Sequence, residues 1–254
     1  MHLKILHFKL SFYILIFKFF MILEFIKNYP FILAFLLGLV PALFWLWFWL
    51  KEDIHPEPLK MITLSFLGGM LAVLFVLPLE QLIYYYIQNQ NTLAFTLWAT
   101  IEEIFKFAAV YFIALRNKKI TDEPVDNIIY LIISALGFVT FENTLFLIPS
   151  IAEGNLLDTL IHGNLRFLGA SLLHIIASAT IGIFMGLSFY KSSVWRKIYT
   201  SCGIIIAIIL HTVFNLFIIS ESQTNIFLIF GGVWFGIILL LLFFEKIKKV
   251  GVKN

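Results

Sequence analysis

Two adjacent glutamates and a lysine, Glu102, Glu103 and Lys106, lie in the middle of a hydrophobic run that is long enough to cross a lipid bilayer. The run, at 92–115, reads TLAFTLWATIEEIFKFAAVYFIAL. A charged group at the centre of a bilayer costs several kcal/mol unless it is paired, protonated or turned towards a polar cavity. The chain must therefore fold so that other helices cover these three groups.

Three later hydrophobic runs carry polar groups of the same kind: Glu142 in the first, His174 in the second, and His211 with Asn215 in the third. Each of these helices gives up insertion free energy for an acid or an imidazole. We therefore expect the four helices to build one shared site.

The composition identifies the class of protein. The chain has 254 residues, of which 61% are hydrophobic and only 13% are charged, whereas soluble domains average about 25% charged residues. We predict an all-α, polytopic transmembrane bundle in contact with the lipid bilayer. The basic residues lie at the ends of spans and form no groove-binding patch, so we expect no nucleic-acid partner.

Seven core spans follow from hydrophobic runs of about 20 residues. We predict them at 30–50, 61–83, 93–115, 127–149, 164–190, 198–219 and 225–244. The predicted domain organisation is an N-terminal basic and apolar segment at 1–28, the membrane domain at 29–245 and a basic tail at 246–254. Oligomeric state cannot be read from the sequence.

Basic residues alternate between the connecting loops. Lysines and arginines are frequent in the first, third and fifth connectors and in the C-terminal tail, and scarce in the other connectors. The positive-inside rule then places the basic loops and the C-terminus in the cytoplasm of a cell with the protein in its inner membrane. Residues 1–28 allow three interpretations: an eighth span, which we favour, an interfacial helix, or a translation start at Met21.

This orientation gives each polar group a depth. Counted from the outer ends of their spans, the acids and imidazoles lie roughly 12–16 Å deep, just on the outer side of the midplane; they are Glu102, Glu103, Glu142, His174 and His211. Glu102 and Lys106 share a helix face, as do His211 and Asn215, because each pair is four residues apart. Alternatively, the first pair is a structural ion pair and the second an interhelical contact. Glu80 lies near the end of its span, which indicates an interfacial position.

Four motifs resemble those of the PrsW intramembrane proteases, which are related to the CAAX prenyl proteases. The motifs are EEIFKF at 102–107, FVTFEN at 138–143, LLHIIAS at 172–178 and HTVFN at 211–215. Three loop motifs resemble the family as well: DIHPEPLK at 53–60, DEPVDNIIY at 122–130 and LRFLGASLLH at 165–174. The resemblance extends from about residue 30 to residue 245.

The resemblance implies a membrane-embedded protease that cuts a single-pass membrane protein. In well-known members of the family the substrate is an anti-sigma factor, cut on its extracytoplasmic side in a stress response. By motif, the catalytic residues would be Glu102, Glu103, Glu142, His174, His211 and Asn215, with Lys106 supporting them.

Two mechanisms fit these residues. In a glutamate-dependent scheme without a cofactor, Glu102 or Glu103 accepts a proton from the attacking water, a histidine holds the water, and His211 with Asn215 donates to the oxyanion. In a metal-dependent scheme, His174, His211 and Glu142 would hold a zinc ion and one of the paired glutamates would be the base.

Two other classes of function use the same residue types. Intramembrane acids and imidazoles also form proton relays in ion-coupled transporters, although the paired repeats and broken helices of transporters are not seen in this sequence. A non-catalytic membrane scaffold that binds single-pass helices is the third hypothesis.

Overall fold

The computed structural model describes residues 29–87, 92–154, 156–219 and 226–250. Over these ranges the only regular elements are helices, and we number them α1 to α7. They are α1 (Pro30–Glu52), α2 (Leu59–Ile87), α3 (Thr92–Val110), α4 (Asp126–Ala152), α5 (Leu156–Leu187), α6 (Ser193–Ile219) and α7 (Ile226–Lys248). A π-helical turn, Tyr111–Leu115, continues α3.

The all-α, polytopic prediction is confirmed. Six of the described helices are long and apolar enough to cross a membrane, and α3 differs because Glu102, Glu103 and Lys106 lie within it. A count of seven core spans therefore stays a prediction. The segment at 1–28 lies outside the described residues, as do residues 251–254 of the tail.

Helix α4 lies at the centre of the bundle. Of its 27 residues, 19 are buried, and they include polar as well as apolar side chains. Helices α1, α2 and α5 pack extensively against it, and α3 contacts it as well. A helix that is apolar on every side is expected to be surrounded by others, and α4 occupies that position.

Glycines allow the backbones of neighbouring helices to meet at α4. A Cβ atom added at Gly69 of α2 would collide with the carbonyl oxygen of Ser134, and one at Gly137 of α4 would collide with that of Phe66. On α5, a Cβ at Gly182 would lie 2.6 Å from the Cα of Ile128. Gly69 and Gly182 therefore permit close helix packing. These crossings hold α2 and α5 tightly against α4.

Candidate active site

The polar residues predicted from the four motifs converge on one cavity. Its volume is about 470 Å³, and it lies among α2, α3, α4, α5 and α6. Five of the predicted site residues line it: Glu102, Glu142, His174, His211 and Asn215. The structure therefore brings the predicted site residues together. The remaining two, Glu103 and Lys106, are buried directly behind the cavity.

Lys106 is the central cation of this site. Its side chain is fully buried, and its Nζ donates to Oε1 of Glu103 at 2.5 Å and to Nδ1 of His174 at 2.8 Å. The distance from Nζ to Oε2 of Glu102 is longer, 3.9 Å. The ammonium group also lies 4.8 Å from the ring centroid of Phe138, within the range of a cation–π contact. Lys106 therefore pairs closely with the glutamate three residues before it, and only loosely with the one four residues before it.

Glu103 is held by donors on both of its oxygens. Oε1 accepts from Lys106 and from Nδ1 of His211 at 2.8 Å, while Oε2 accepts from Oγ of Ser178 at 3.0 Å. A buried carboxylate with this many charge-assisted and neutral hydrogen bonds is stabilised as the anion and fixed in position. Glu103 accepts three hydrogen bonds from three different helices, and it therefore orients its neighbours.

Glu102 is bound very differently from Glu103. It is 4% exposed, yet its Oε2 makes no hydrogen bond to any described residue. The nearest imidazole nitrogens are Nε2 of His211 at 3.7 Å and Nδ1 of His174 at 3.9 Å. Buried polar atoms without partners are rare in folded proteins, and one at a cavity wall indicates a place for water, a substrate group or an ion.

The partners of the two histidines define which ring nitrogens carry hydrogen. Nδ1 of His174 accepts from Lys106, so its Nε2 donates to Oε2 of Glu142 at 3.0 Å. Nδ1 of His211 donates to Glu103, which leaves a lone pair on Nε2 directed towards Glu102. The rings stand at 89° with centroids 4.9 Å apart. Both imidazoles are therefore fixed in orientation.

Two residues outside the predicted set belong to the site. Glu80 of α2, which the sequence places at the interface, lines the cavity beside Glu102, and its backbone carbonyl accepts from Nε1 of Trp98 at 3.2 Å. Ser178 is fully buried and donates to Glu103. Its spacing of four residues from His174 places both side chains on one helix face, which is the signal in the sequence that could have identified it.

Comparison with known proteins identifies the family. The model of the "PrsW family intramembrane metalloprotease" matches residues 57–244. The chain belongs to the PrsW family. It is similar to Protease PrsW of Clostridioides difficile, with 28% identity over 85% of this chain and 90% of that protein. It is also similar to Protease PrsW of Geobacillus kaustophilus, with 26% identity over 80% of this chain and 84% of that protein. No solved structure matches the chain.

Membership in the PrsW family makes this a multi-span membrane protease. The four motifs at 102–107, 138–143, 172–178 and 211–215 all lie within the matched range. The resemblance recognised from those motifs is confirmed, and it covers the helices that build the cavity.

PrsW proteins are described as metalloproteases, so the residues can be tested for their fit to a metal ion. Glu102, His174 and His211 each offer one ligand atom, and these atoms lie within 4.8 Å of one another. Two imidazoles and a carboxylate, with a position left for water, form a common set for catalytic zinc. Glu103 accepts from the other nitrogen of His211, as acids behind metal-bound histidines do. The residues fit a zinc ion. To bind it, Nδ1 of His174 would give up its hydrogen bond from Lys106.

The group of residues that could hold a metal ion, Glu102 with His174 and His211, differs by one residue from the set predicted with Glu142. The Glu142 carboxylate contacts Nε2 of His174, whereas Nδ1 is the nitrogen that faces Glu102. Glu142 is also 36% exposed in its side chain, unlike Glu102 at 6%. The geometry thus favours Glu102 over Glu142 as the carboxylate beside the two imidazoles, and Glu142 contacts His174 from the cavity side.

Proposed function

We propose that the protein is an intramembrane endopeptidase that hydrolyses a peptide bond of a membrane-anchored protein. The observation that carries this proposal is the buried Glu102 Oε2, which makes no hydrogen bond to a described residue and faces two fixed imidazoles at the wall of a cavity. A carboxylate in this state can accept a proton, whereas its neighbour Glu103 already accepts hydrogen bonds from three donors.

The proposed reaction uses Glu102 as the general base. Glu102 takes a proton from water while the water oxygen attacks the scissile carbonyl carbon, and the same proton then passes to the amide nitrogen as the C–N bond breaks. The products are a new carboxyl group and a new amine. Nε2 of His211 offers a lone pair near Glu102, so it accepts the second hydrogen of the water and orients it. In this tautomer His211 does not donate to an oxyanion, and the amide of Asn215, which lines the cavity, takes that role.

A zinc ion bound by Glu102, His174 and His211 would lower the pKa of the attacking water and polarise the scissile carbonyl. Two measurements decide between the schemes: the metal content of the purified protein, and cleavage by the zinc-free protein. Zinc at about one ion per chain that is lost in His211→Asn identifies a zinc site. Full cleavage by a zinc-free protein identifies the glutamate-dependent scheme.

The proposed substrate is a single-pass membrane protein, and among such proteins an anti-sigma factor cut on its extracytoplasmic side. Two arguments support it: the resemblance to the PrsW motifs, and the depth of the site on the outer side of the midplane when the positive-inside rule orients the helices. In this orientation the protein lies in the cell membrane with its C-terminus in the cytoplasm, and it acts in an envelope stress response.

The test compares the membrane proteins of host cells that express the wild type, a Glu102→Gln variant or a Glu153→Gln variant at equal levels. Glu153 is exposed at the end of α4 and serves as the control. We expect mass spectrometry to find a fragment of a single-pass protein with the wild type and with Glu153→Gln, and not with Glu102→Gln. The same fragments in all three strains would overturn the proposal, as would their absence from all three under envelope stress.

A further inference from the structure

An apolar groove lies beside the catalytic cavity, between α5, α6 and α7. Its volume is about 350 Å³, and its lining residues are all apolar side chains or glycines. Helices α6 and α7 both pack against α5 but barely touch each other, which leaves the groove open between them. Leu173, Ile176, Val213 and Phe214 form one wall, and the Gly232 region of α7 forms the other.

The groove adjoins the catalytic cavity. Leu173 and Phe214 line both spaces, and Phe214, which is 8% exposed, forms the partition between them. Leu173 directly precedes His174, and Leu210 in the groove directly precedes His211. The groove therefore lies at the same depth in the bundle as the two catalytic imidazoles.

The α7 wall suits a helix as the occupant. Gly232 and Gly236 are four residues apart on α7 and both line the groove. Among the described residues, a Cβ added at Gly232 would meet no atom within 4 Å, whereas one at Gly236 would lie 2.9 Å from Ile176. Small residues at this spacing let a second transmembrane helix approach the backbone closely. The open space over Gly232 can receive such a helix.

The other side of the cavity has the opposite character. Glu80, Gln81 and Tyr84 line it there, and Gln81 and Tyr84 also line a neighbouring wide depression with Tyr85 and Tyr86. Hydrolysis of a peptide bond in a membrane-embedded substrate requires that both water and the substrate reach the same atoms. The polar side suits the entry of water. The apolar groove suits the approach of a helix from the bilayer.

We infer that the groove between α5, α6 and α7 docks the transmembrane helix of the protein substrate before a segment of it passes Phe214 into the cavity. This inference rests on the proposed protease function and adds the surface on which the substrate is recognised. The competing occupant of an apolar groove in a bilayer is a lipid acyl chain.

Two matched pairs of variants test the docking surface. Gly231 and Gly232 are adjacent exposed glycines with open space around each, and of these two only Gly232 lines the groove. Val213 and Ile209 are exposed one turn apart on α6, and of these only Val213 lines it. Gly232→Phe and Val213→Trp should fill the groove, while Gly231→Phe and Ile209→Trp should extend from other parts of the helix surface.

The assay uses the single-pass protein whose fragment appears with the wild type and not with Glu102→Gln, reconstituted with each variant in lipid vesicles. We expect the two groove variants to cleave it at least about tenfold more slowly, the loss that about 1.4 kcal/mol of docking free energy gives. We expect the two control variants to cleave it at the wild-type rate. Melting temperatures within the range of the controls would show that the groove variants are folded.

Disulfide crosslinking gives a second readout that does not depend on turnover. In a Cys202→Ser, Glu102→Gln background, Gly232→Cys should form a disulfide with a cysteine in the membrane segment of the substrate, and Gly231→Cys should not. Wild-type cleavage by both groove variants, or equal crosslinking at the two positions, would overturn the docking site and indicate a lipid-filled groove. The difference between wild type and Glu102→Gln would still stand, so this failure is distinguishable from failure of the protease proposal.

Discussion

Lys106 provides a direct test of the buried charge network, which it forms with Glu103, His174 and His211. Replacement by methionine keeps most of the chain length and removes the ammonium group that bonds Glu103 and His174. Both members of the Lys106–Glu103 pair are fully buried, and removing one partner of a buried ion pair costs about 3–5 kcal/mol. Because Glu103 keeps its donors on His211 and Ser178, we expect the lower end, about 3 kcal/mol.

A double-mutant cycle with Glu103→Gln isolates the pairwise energy. The double variant should lose less stability than the sum of the single variants, with a coupling energy of about 2–3 kcal/mol. The assay is reversible unfolding in detergent micelles followed by circular dichroism. Lys248→Met is the matched control, since both carboxylate partners of Lys248, Glu245 at 2.7 Å and Glu52 at 3.8 Å, have side chains open to solvent and such ion pairs contribute about 0–1 kcal/mol. Equal losses for the two lysine variants, or an additive cycle, would refute the network.

Three further predictions concern positions around the site and the helix crossings. Ser178→Ala should destabilise the protein by about 1.5–3 kcal/mol in the same unfolding assay, because the serine donates to a buried charge; a loss below 0.5 kcal/mol, the usual surface limit, would contradict that contact. Gly69→Ala should cost about 1–3 kcal/mol because its Cβ meets the Ser134 carbonyl, whereas Gly231→Ala should not; equal melting temperatures would refute the crossing. Burial raises the pKa of Glu57 above 4.5, so its contribution to stability is complete below pH 4.5 and is lost as the pH rises through the raised pKa. Melting temperature should therefore fall over that range in the wild type and fall less in Glu57→Gln, and parallel curves would contradict this.

Much of the architecture could be predicted from the sequence because membrane helices are long apolar runs. The predicted spans overlap the seven described helices, and the predicted convergence of Glu102, His174 and His211 is present in the cavity. Both follow from the same physical fact: a bilayer leaves few places for a charged side chain, so the polar groups of neighbouring helices are drawn together.

The pairing of individual atoms could not be predicted in this way. On a helix, positions three and four residues apart are both neighbours, so the sequence could not decide that Lys106 bonds Glu103 at 2.5 Å and lies 3.9 Å from Glu102. The central position of α4 depends on glycine contacts between helices far apart in the sequence. Glu80 joins the cavity because α2 crosses α4 closely, and the run of apolar residues alone does not encode that crossing.

The measurement that tests the central claim most directly is the cleavage rate of the reconstituted protein with Glu102→Gln and Glu103→Gln measured side by side with the wild type. General-base catalysis contributes about 10²–10⁴-fold, so we expect Glu102→Gln to lose at least about a hundredfold in rate at an unchanged melting temperature. Glu103→Gln should lower both the rate and the melting temperature, since it breaks the contacts with Lys106, His211 and Ser178. A Glu102→Gln protein that cleaves at the wild-type rate would contradict the assignment of Glu102 as the base.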